Sequence, residues 1–490
     1  MKSGLAVPGA VVAFLIALYA IMAAEMTPGV TAVGTDWAMY VMHARNIVKG
    51  LPYTQTGYVF QPESTTEVGA NSYPSGYPLL LAPFYAAFGP DLKLFKLLTA
   101  AMLVLSLWPI YLFARRTLPP VYGLLLVITL GLSGEYLGSF DGPGSDAPYQ
   151  LASYLVLLLL LKIYDRHLGE TNPWKWGTVA GLSMAGAYLI RPVGLALVLA
   201  TGGLELLRSR RITRFLIAVG LAFLPLLLLN NFLLHRDSTY AYQFTLSVPR
   251  IAKHAIAYAG FFSYVFVNPW SHPLRYCLWG VTVILALTAI VQRIRSGVQI
   301  TELYLLVILA VDSVYWEADA RYVICVMPIY LVYVFEGFRV LLARIPVAFS
   351  RPVQAGAAVL LLVAPAANAA LLRPDPHDTL VTAPRYEQLC DAVRRLTAPA
   401  ALVLFWNPRV LAFSTGRSAS GWPAIGPPER LTRYVSQVHA GYVVADKSRA
   451  DDRRLLLPLM TNADSHVTRL FENDGFVLMQ IQAGAANSPQ

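Results

Sequence analysis

Charge is what this sequence has least of. Asp, Glu, Lys and Arg make up 13% of its 490 residues, about half the share of a soluble domain. Apolar side chains make up 56%. So few charges cannot clothe a water-facing surface of this size, which excludes an ordinary soluble globule. Cysteine is scarce as well. Cys277, Cys325 and Cys390 are odd in number and far apart, so no disulfide framework can be drawn through them. His235, His254 and His272 share one loop without an acidic partner at helical spacing, and no metal-ligand spacing can be read there. No internal repeat is visible, which argues against the paired halves of a secondary transporter. The net charge of +10 would suit nucleic acid, but its distribution does not.

What the chain does have is apolar runs. They lie at 7–24, 93–114, 119–136, 147–164, 175–190, 192–207, 215–234, 274–292, 300–316, 322–340 and 352–371, each near the length that crosses a bilayer. The expected fold is therefore a polytopic α-helical membrane protein of about 11 transmembrane helices. The run at 77–89 is cut by Pro78 and Pro83 and reads as an interfacial or re-entrant piece. With the N-terminus cytoplasmic, Arg115, Arg116, Arg208, Arg210, Arg211, Arg214, Arg293, Arg295, Arg339 and Arg344 all fall inside, as the positive-inside rule requires. The basic excess is then topogenic, and no nucleic-acid partner is expected. The first run lacks a small-x-small cleavage site, Ala20 being followed by Ile21 and Met22, so it reads as an anchor rather than a cleaved signal.

From Leu372 the character changes. Pro374-Asp375-Pro376 marks a linker, and short apolar runs alternate with polar helical patterns. Ala401–Trp406, Gly441–Ala445 and Gly475–Gln482 read as strands, Tyr386–Leu396 and Glu429–His439 as helices, and Ala483–Gln490 as a frayed tail. Residues 1–371 thus form a membrane domain with a first outer loop at 25–92, and 372–490 an α/β domain on the same outer side.

The outer loops gather the chemistry. The first carries Asp36, His43, Arg45, Lys49, Glu63, Glu67 and Tyr73; the second carries Glu135, Asp141 and Asp146. Arg191-Pro192 makes an outer turn, the loop at 235–273 holds Arg236, Asp237, Arg250 and Lys253, and Asp312, Glu317, Asp319, Arg321 and Tyr322 close the set. Asp36 stands outside a membrane helix with Trp37 and Tyr40 after it, a pattern that points to a base at a bilayer surface more than to packing. Transfer of a sugar from a lipid-linked phosphate suits this inventory. The phosphate leaves readily, so the step needs a carboxylate to take the acceptor's proton and cations to hold the developing charge. No cofactor is evident, and the carboxylates leave a divalent cation open. Plainer duties stand beside these. Asp36 and Asp146 can cap helices, Arg191 can satisfy helix-end carbonyls, Asp312 can pair with Arg321, and Lys93 and Lys96 can snorkel.

Gly34-Thr35-Asp36 followed by Ala44-Arg45-Asn46-Ile47-Val48-Lys49-Gly50-Leu51-Pro52-Tyr53 resembles the first outer loop of GT-C glycosyltransferases, especially the protein O-mannosyltransferase and aminoarabinose-lipid A transferase group. Tyr73-Pro74-Ser75-Gly76-Tyr77-Pro78 resembles the Pro-Pro segment that follows there, Ser145-Asp146-Ala147-Pro148 the second acidic motif, and Ala320-Arg321-Tyr322 with Pro328 the late Arg-Tyr motif. The resemblance implies inverting transfer from a polyprenyl-phosphate sugar to a lipid, glycan or protein acceptor at the outer face of an inner membrane. It puts the base at Asp36 and phosphate binding at Arg321 and Tyr322. Where the group carries Lys or His before the Pro-Pro pair this chain has Tyr73, and Ser75 interrupts the pair. Arg250 and Lys253 are the candidates for the displaced cation. A secondary transporter and a polymerase or ligase of lipid-linked oligosaccharides are the alternatives.

Overall fold

The computed structural model of the chain describes residues 3–26, 36–64, 68–138, 142–233, 244, 246–266, 272–344, 346, 352–354, 356–357, 363, 367, 383–423, 428–460 and 467–481. Gly34-Thr35, Glu67, Asp141, Arg236, Asp237, most of the 352–371 run, the linker at 374–376 and the tail at 483–490 lie outside them.

Helices stand over the other ten apolar runs: Ser3–Glu25, Leu92–Ala114, Pro120–Gly131, Asp146–Asp165, Pro173–Ile190, Leu195–Ser209, Arg214–Leu233, His272–Ser296, Ile300–Val314 and Met327–Leu342. Among the described residues six stretches, including Leu92–Ala114 and Asp146–Asp165, are long and apolar enough to cross a membrane. Others are shorter than their runs. Pro120–Gly131 has 12 residues, about 18 Å of helix against roughly 30 Å of hydrocarbon, and a short helix resumes at Gly134–Gly138. The 175–207 region divides at Arg191, whose backbone is extended ahead of Pro192, since a residue before proline avoids the helical region.

Small residues set the closest crossings. A Cβ on Gly177 would sit 2.5 Å from the Phe215 carbonyl oxygen, and one on Gly181 2.5 Å from that of Val219. This small-xxx-small stripe seats the Pro173–Ile190 helix directly on the backbone of Arg214–Leu233. At the end away from Asp36, Arg293 makes a two-pronged pair with Glu336 at 2.6 and 2.5 Å, and Tyr333 donates to Glu302 at 2.8 Å. These contacts tie the ends of three helices together. Lys96, expected at the boundary, is instead fully buried, because the first loop and its helices cover the start of the Leu92–Ala114 helix.

The C-terminal residues form a mixed sheet of β1 (Leu402–Leu404), β2 (Ser418–Ser420), β3 (Tyr442–Asp446), β4 (Val467–Glu472) and β5 (Phe476–Ile481), in the order β2-β1-β3-β5-β4. β1 runs parallel to β2 and β3, and β5 antiparallel to β3 and β4. The first loop continues this sheet at its β2 edge. Val59 donates to the Ala419 carbonyl and Ala419 to that of Gly57, both at 2.9 Å, which covers an edge that would otherwise be open.

The Asp36–Lys49 helix is the joint between the two parts. Trp37, Met39, Val41 and Met42 are buried in one core with Leu389, Phe405, Val410 and Leu411 from the C-terminal residues. Residues Trp37 to Ala44 of this helix are all buried. Trp37 packs edge-on against Phe413 at 5.2 Å, and Tyr40 against Tyr73 and Tyr77 at 5.2 and 4.9 Å. Both aromatics are packing residues after all.

Candidate active site

Four long helices have ends at one cavity: Asp146–Asp165 and Leu195–Ser209 by their starts, Pro173–Ile190 and Ile300–Val314 by their finishes. The first loop and the loop after β1 roof it. Its volume is about 790 Å³, and Asp36, Tyr73, Asp146, Arg191, Asp312, Arg321, Tyr322 and Arg409 all line it.

Asp36 is the first residue of its helix, where the helix dipole favours a negative charge. Tyr73 donates its phenolic O–H to Oδ1 at 2.6 Å. Arg409 Nη1 donates to the same oxygen at 2.9 Å, and Arg321 Nη1 reaches Oδ2 at 3.4 Å. Burial pushes the Asp36 carboxyl up, but Arg321, Arg409, the Tyr73 hydrogen bond and Arg191 together hold it below the ordinary carboxylate range. The side chain is still 31% exposed, so an ionised carboxylate faces the cavity. A carboxylate in this state can accept a proton from a group in the cavity.

Tyr73 is fixed from behind. Tyr53 donates to the Tyr73 and Pro74 carbonyls, each at 3.1 Å, and stacks on His43 at 4.1 Å. Burial draws the His43 imidazole down to about 4, so its neutral ring donates Nδ1–H to the Tyr53 carbonyl at 2.8 Å. Burial also pushes the Tyr73 phenol well above its usual value. It stays neutral and donates. A Cβ on Gly76 would lie 2.6 Å from the Leu189 carbonyl, so this segment presses on the Pro173–Ile190 helix end as only glycine allows.

Asp146 opens its helix and is ion-paired with Arg191, whose guanidinium lies over the Tyr322 ring at 5.5 Å. Tyr40 and Ser145 share a 2.8 Å hydrogen bond just beside it. Arg321 sits on a short 3₁₀ turn, with Nε at 3.0 Å from Asp319 Oδ2 and Nη2 donating to the Tyr322 hydroxyl at 3.3 Å. The sequence offered Asp312 as its partner. The structure gives it Asp36 and Asp319 instead, while buried Asp312 Oδ2 makes no hydrogen bond among the described residues.

Of the residues anticipated for the site, Asp36, Tyr73, Asp146, Arg321 and Tyr322 meet in the cavity. Arg250 and Lys253 do not line it. They lie on the Val248–Phe261 helix, which buries His254 and Tyr258 and leaves Lys253 exposed and Arg250 half-buried. The third cation beside Asp36 and Asp146 comes from elsewhere. Arg409 follows the Asn407-Pro408 helix start, at the carboxyl end of β1, where open α/β sheets place functional groups. That position was the one sequence signal for it.

No protein-family model and no curated protein matches the chain. Among solved structures it resembles ArnT from Cupriavidus metallidurans in the apo state, with 15% identity, a TM-score of 0.57 and coverage of 99% of this chain and 100% of that one. It matches the undecaprenyl phosphate-bound form at 14% identity, TM-score 0.54, over 98% and 99%. The apo oligosaccharyltransferase of Archaeoglobus fulgidus matches at 13% identity and TM-score 0.54, covering 89% of this chain and 69% of that one. These are all GT-C glycosyltransferases. The chain has the fold of the GT-C membrane glycosyltransferases.

Proposed function

We propose that the protein transfers a sugar from a polyprenyl-phosphate donor to an acceptor hydroxyl or amine at the outer face of an inner membrane. The observation that carries this reading is the exposed side of Asp36, an ionised carboxylate facing a cavity of about 790 Å³ beside Arg321 and Tyr322. The acceptor oxygen or nitrogen bonds to the anomeric carbon, and its proton passes to the Asp36 carboxylate. On the opposite side of that carbon the bond to the phosphate oxygen breaks, and the electron pair leaves with the lipid phosphate. The configuration inverts. Arg321 offers a planar fork for the departing phosphate and Tyr322 a hydroxyl. The step as written uses no cofactor.

The neighbours support the donor class. The Cupriavidus structure is bound to undecaprenyl phosphate, and one of the Archaeoglobus structures is a complex with an inhibitory peptide and a dolichol-phosphate. For this chain the acceptor is a lipid, a glycan or a protein. Mass spectrometry of envelope lipids and glycans from cells lacking the protein should show one sugar missing and its lipid-linked form accumulating. An unchanged profile of both would remove the reading.

The topology belongs to the same proposal: eleven spans, the N-terminus cytoplasmic, and Asp36 on the outer side together with the sheet. Single cysteines at 115–118, 208–214 and 341–351 should label from the cytoplasm, and one at position 400 only from outside. Because Arg409 touches Asp36, labelling of position 400 from the cytoplasm would move the whole site to the inner face.

A further inference from the structure

Asp36 is held by two arginines that are themselves held very differently. Arg409 is 3% exposed. Its Nη1 donates to Asp36 Oδ1 at 2.9 Å and its Nη2 to the Val68 carbonyl at 2.8 Å. Its guanidinium lies over the rings of Tyr58 and Tyr73 at 5.2 and 5.5 Å. The Pro408–Thr415 helix that delivers it buries Val410, Leu411 and Ala412 completely. Packing therefore fixes this fork. Arg321 is 37% exposed, stands 3.4 Å from Oδ2, and takes its other partners, Asp319 and Tyr322, from its own turn. It is the more exposed and the more loosely held of the two.

We propose that the two have divided the work: Arg409 is a positioning residue that keeps hold of Asp36 Oδ1 throughout, while Arg321 is exchanged from Asp36 Oδ2 to the donor phosphate. The exchange rests on the glycosyl-transfer reading; the hold of Arg409 on Asp36 does not. Before the donor arrives, Tyr73 and Arg409 occupy Oδ1 and Arg321 faces Oδ2. A phosphate that draws Arg321 away frees Oδ2 for the acceptor's proton. It also removes one positive charge from beside the base and so raises its proton affinity. The donor primes the base, and the acceptor follows. Arg409, supplied from beyond the membrane helices, is then part of the active site, and those helices alone are not a complete enzyme.

Carbodiimide modification tests this without turnover, because carbodiimides add to the protonated carboxyl. The groups facing Asp36 are Arg321 with Asp319 beside it, Arg409, Arg191 with its partner Asp146, and Tyr73. In the purified full chain, the rate at which dicyclohexylcarbodiimide labels Asp36 is read by peptide mass spectrometry across pH. Arg409→Gln should label roughly tenfold faster at a given pH, as removal of one contacting opposite charge requires. Arg409→Lys keeps the charge and should stay near the wild-type rate. Added undecaprenyl phosphate should speed labelling of the wild type and leave Arg321→Gln, already fast, unchanged. An Arg409→Gln profile equal to wild type overturns the positioning role. Labelling of the wild type that is slowed or unchanged by bound undecaprenyl phosphate overturns the exchange, and this arm needs no variant to fold. Should native mass spectrometry find no binding of undecaprenyl phosphate at all, the donor reading and the exchange fall together while the Arg409 arm still stands on its own result.

Discussion

Asp36→Asn lowers turnover by at least about a hundredfold, the usual worth of a positioned base, and leaves lipid-phosphate binding in place. Asn has the size of Asp and still offers Oδ1 to Tyr73 and Arg409. What it lacks is a site for the acceptor's proton. Stability should fall by about 1–2 kcal/mol, because buried Arg409 keeps an acceptor but loses its counter-charge. The pH dependence has a definite sign. Burial raises the carboxyl, yet Arg321, Arg409, Tyr73 and Arg191 leave it below the ordinary carboxylate value. The ionised base, and the stability it lends, is therefore complete above the unfolded-state value and lost only as pH falls through the lowered one. The kcat/KM of the wild type, which reports the donor-free protein, should hold through mildly acid pH. Retention of near wild-type turnover by the purified Asn variant, with the donor bound, would take Asp36 out of the mechanism.

The membrane part was legible because one property suffices to see it. Runs such as 93–114 and 147–164 need only a count of apolar residues, and the break at Arg191-Pro192 needs only proline. What the sequence could not show was burial on a second side. Nothing near Trp37 in the sequence announces its cover, because Phe413 and its helix come more than 370 positions later. The strands divide the same way. β1, β3 and β5 are apolar runs and stand out. β2 is Ser418-Ala419-Ser420, without a β-branched or aromatic residue, and β4 carries Arg469 and Glu472 on the open edge. Neither has a pattern to read.

The site was legible on the membrane side and opaque on the other. Asp36, Tyr73, Asp146, Arg321 and Tyr322 sit in local motifs, so their neighbours in sequence announce them. Arg250 and Lys253 were chosen for charge and loop alone, and charge does not say which way a helix turns; the Val248–Phe261 helix keeps them out of the cavity. Arg409 is one arginine among many in the residues after 372. Only the docking of its helix against Asp36–Lys49 makes it the partner of the base.

Arg321→Lys cuts transfer by about tenfold to a hundredfold, since an ammonium keeps the charge but not the planar, two-pronged geometry that suits a phosphate. Tyr322→Phe removes one hydrogen-bonding hydroxyl and costs about 1 kcal/mol, a factor of roughly five. The competing account makes Arg321 a counter-charge only, and the structure names whose: Asp36 and Asp319, not Asp312. On that account Arg321→Lys would be almost harmless. Asp319→Asn would partly rescue Arg321→Ala by removing the acid left unpaired, whereas Asp312→Asn would rescue nothing. On the phosphate-ligand account neither acid rescues, and undecaprenyl phosphate binding weakens in step with turnover. Turnover and lipid-phosphate binding, measured on Arg321→Lys, Arg321→Ala, Tyr322→Phe and the two double variants, separate the accounts. Rescue by Asp319→Asn would make Arg321 a structural partner and move the donor phosphate to Arg191, the other cavity arginine whose guanidinium lies over the Tyr322 ring.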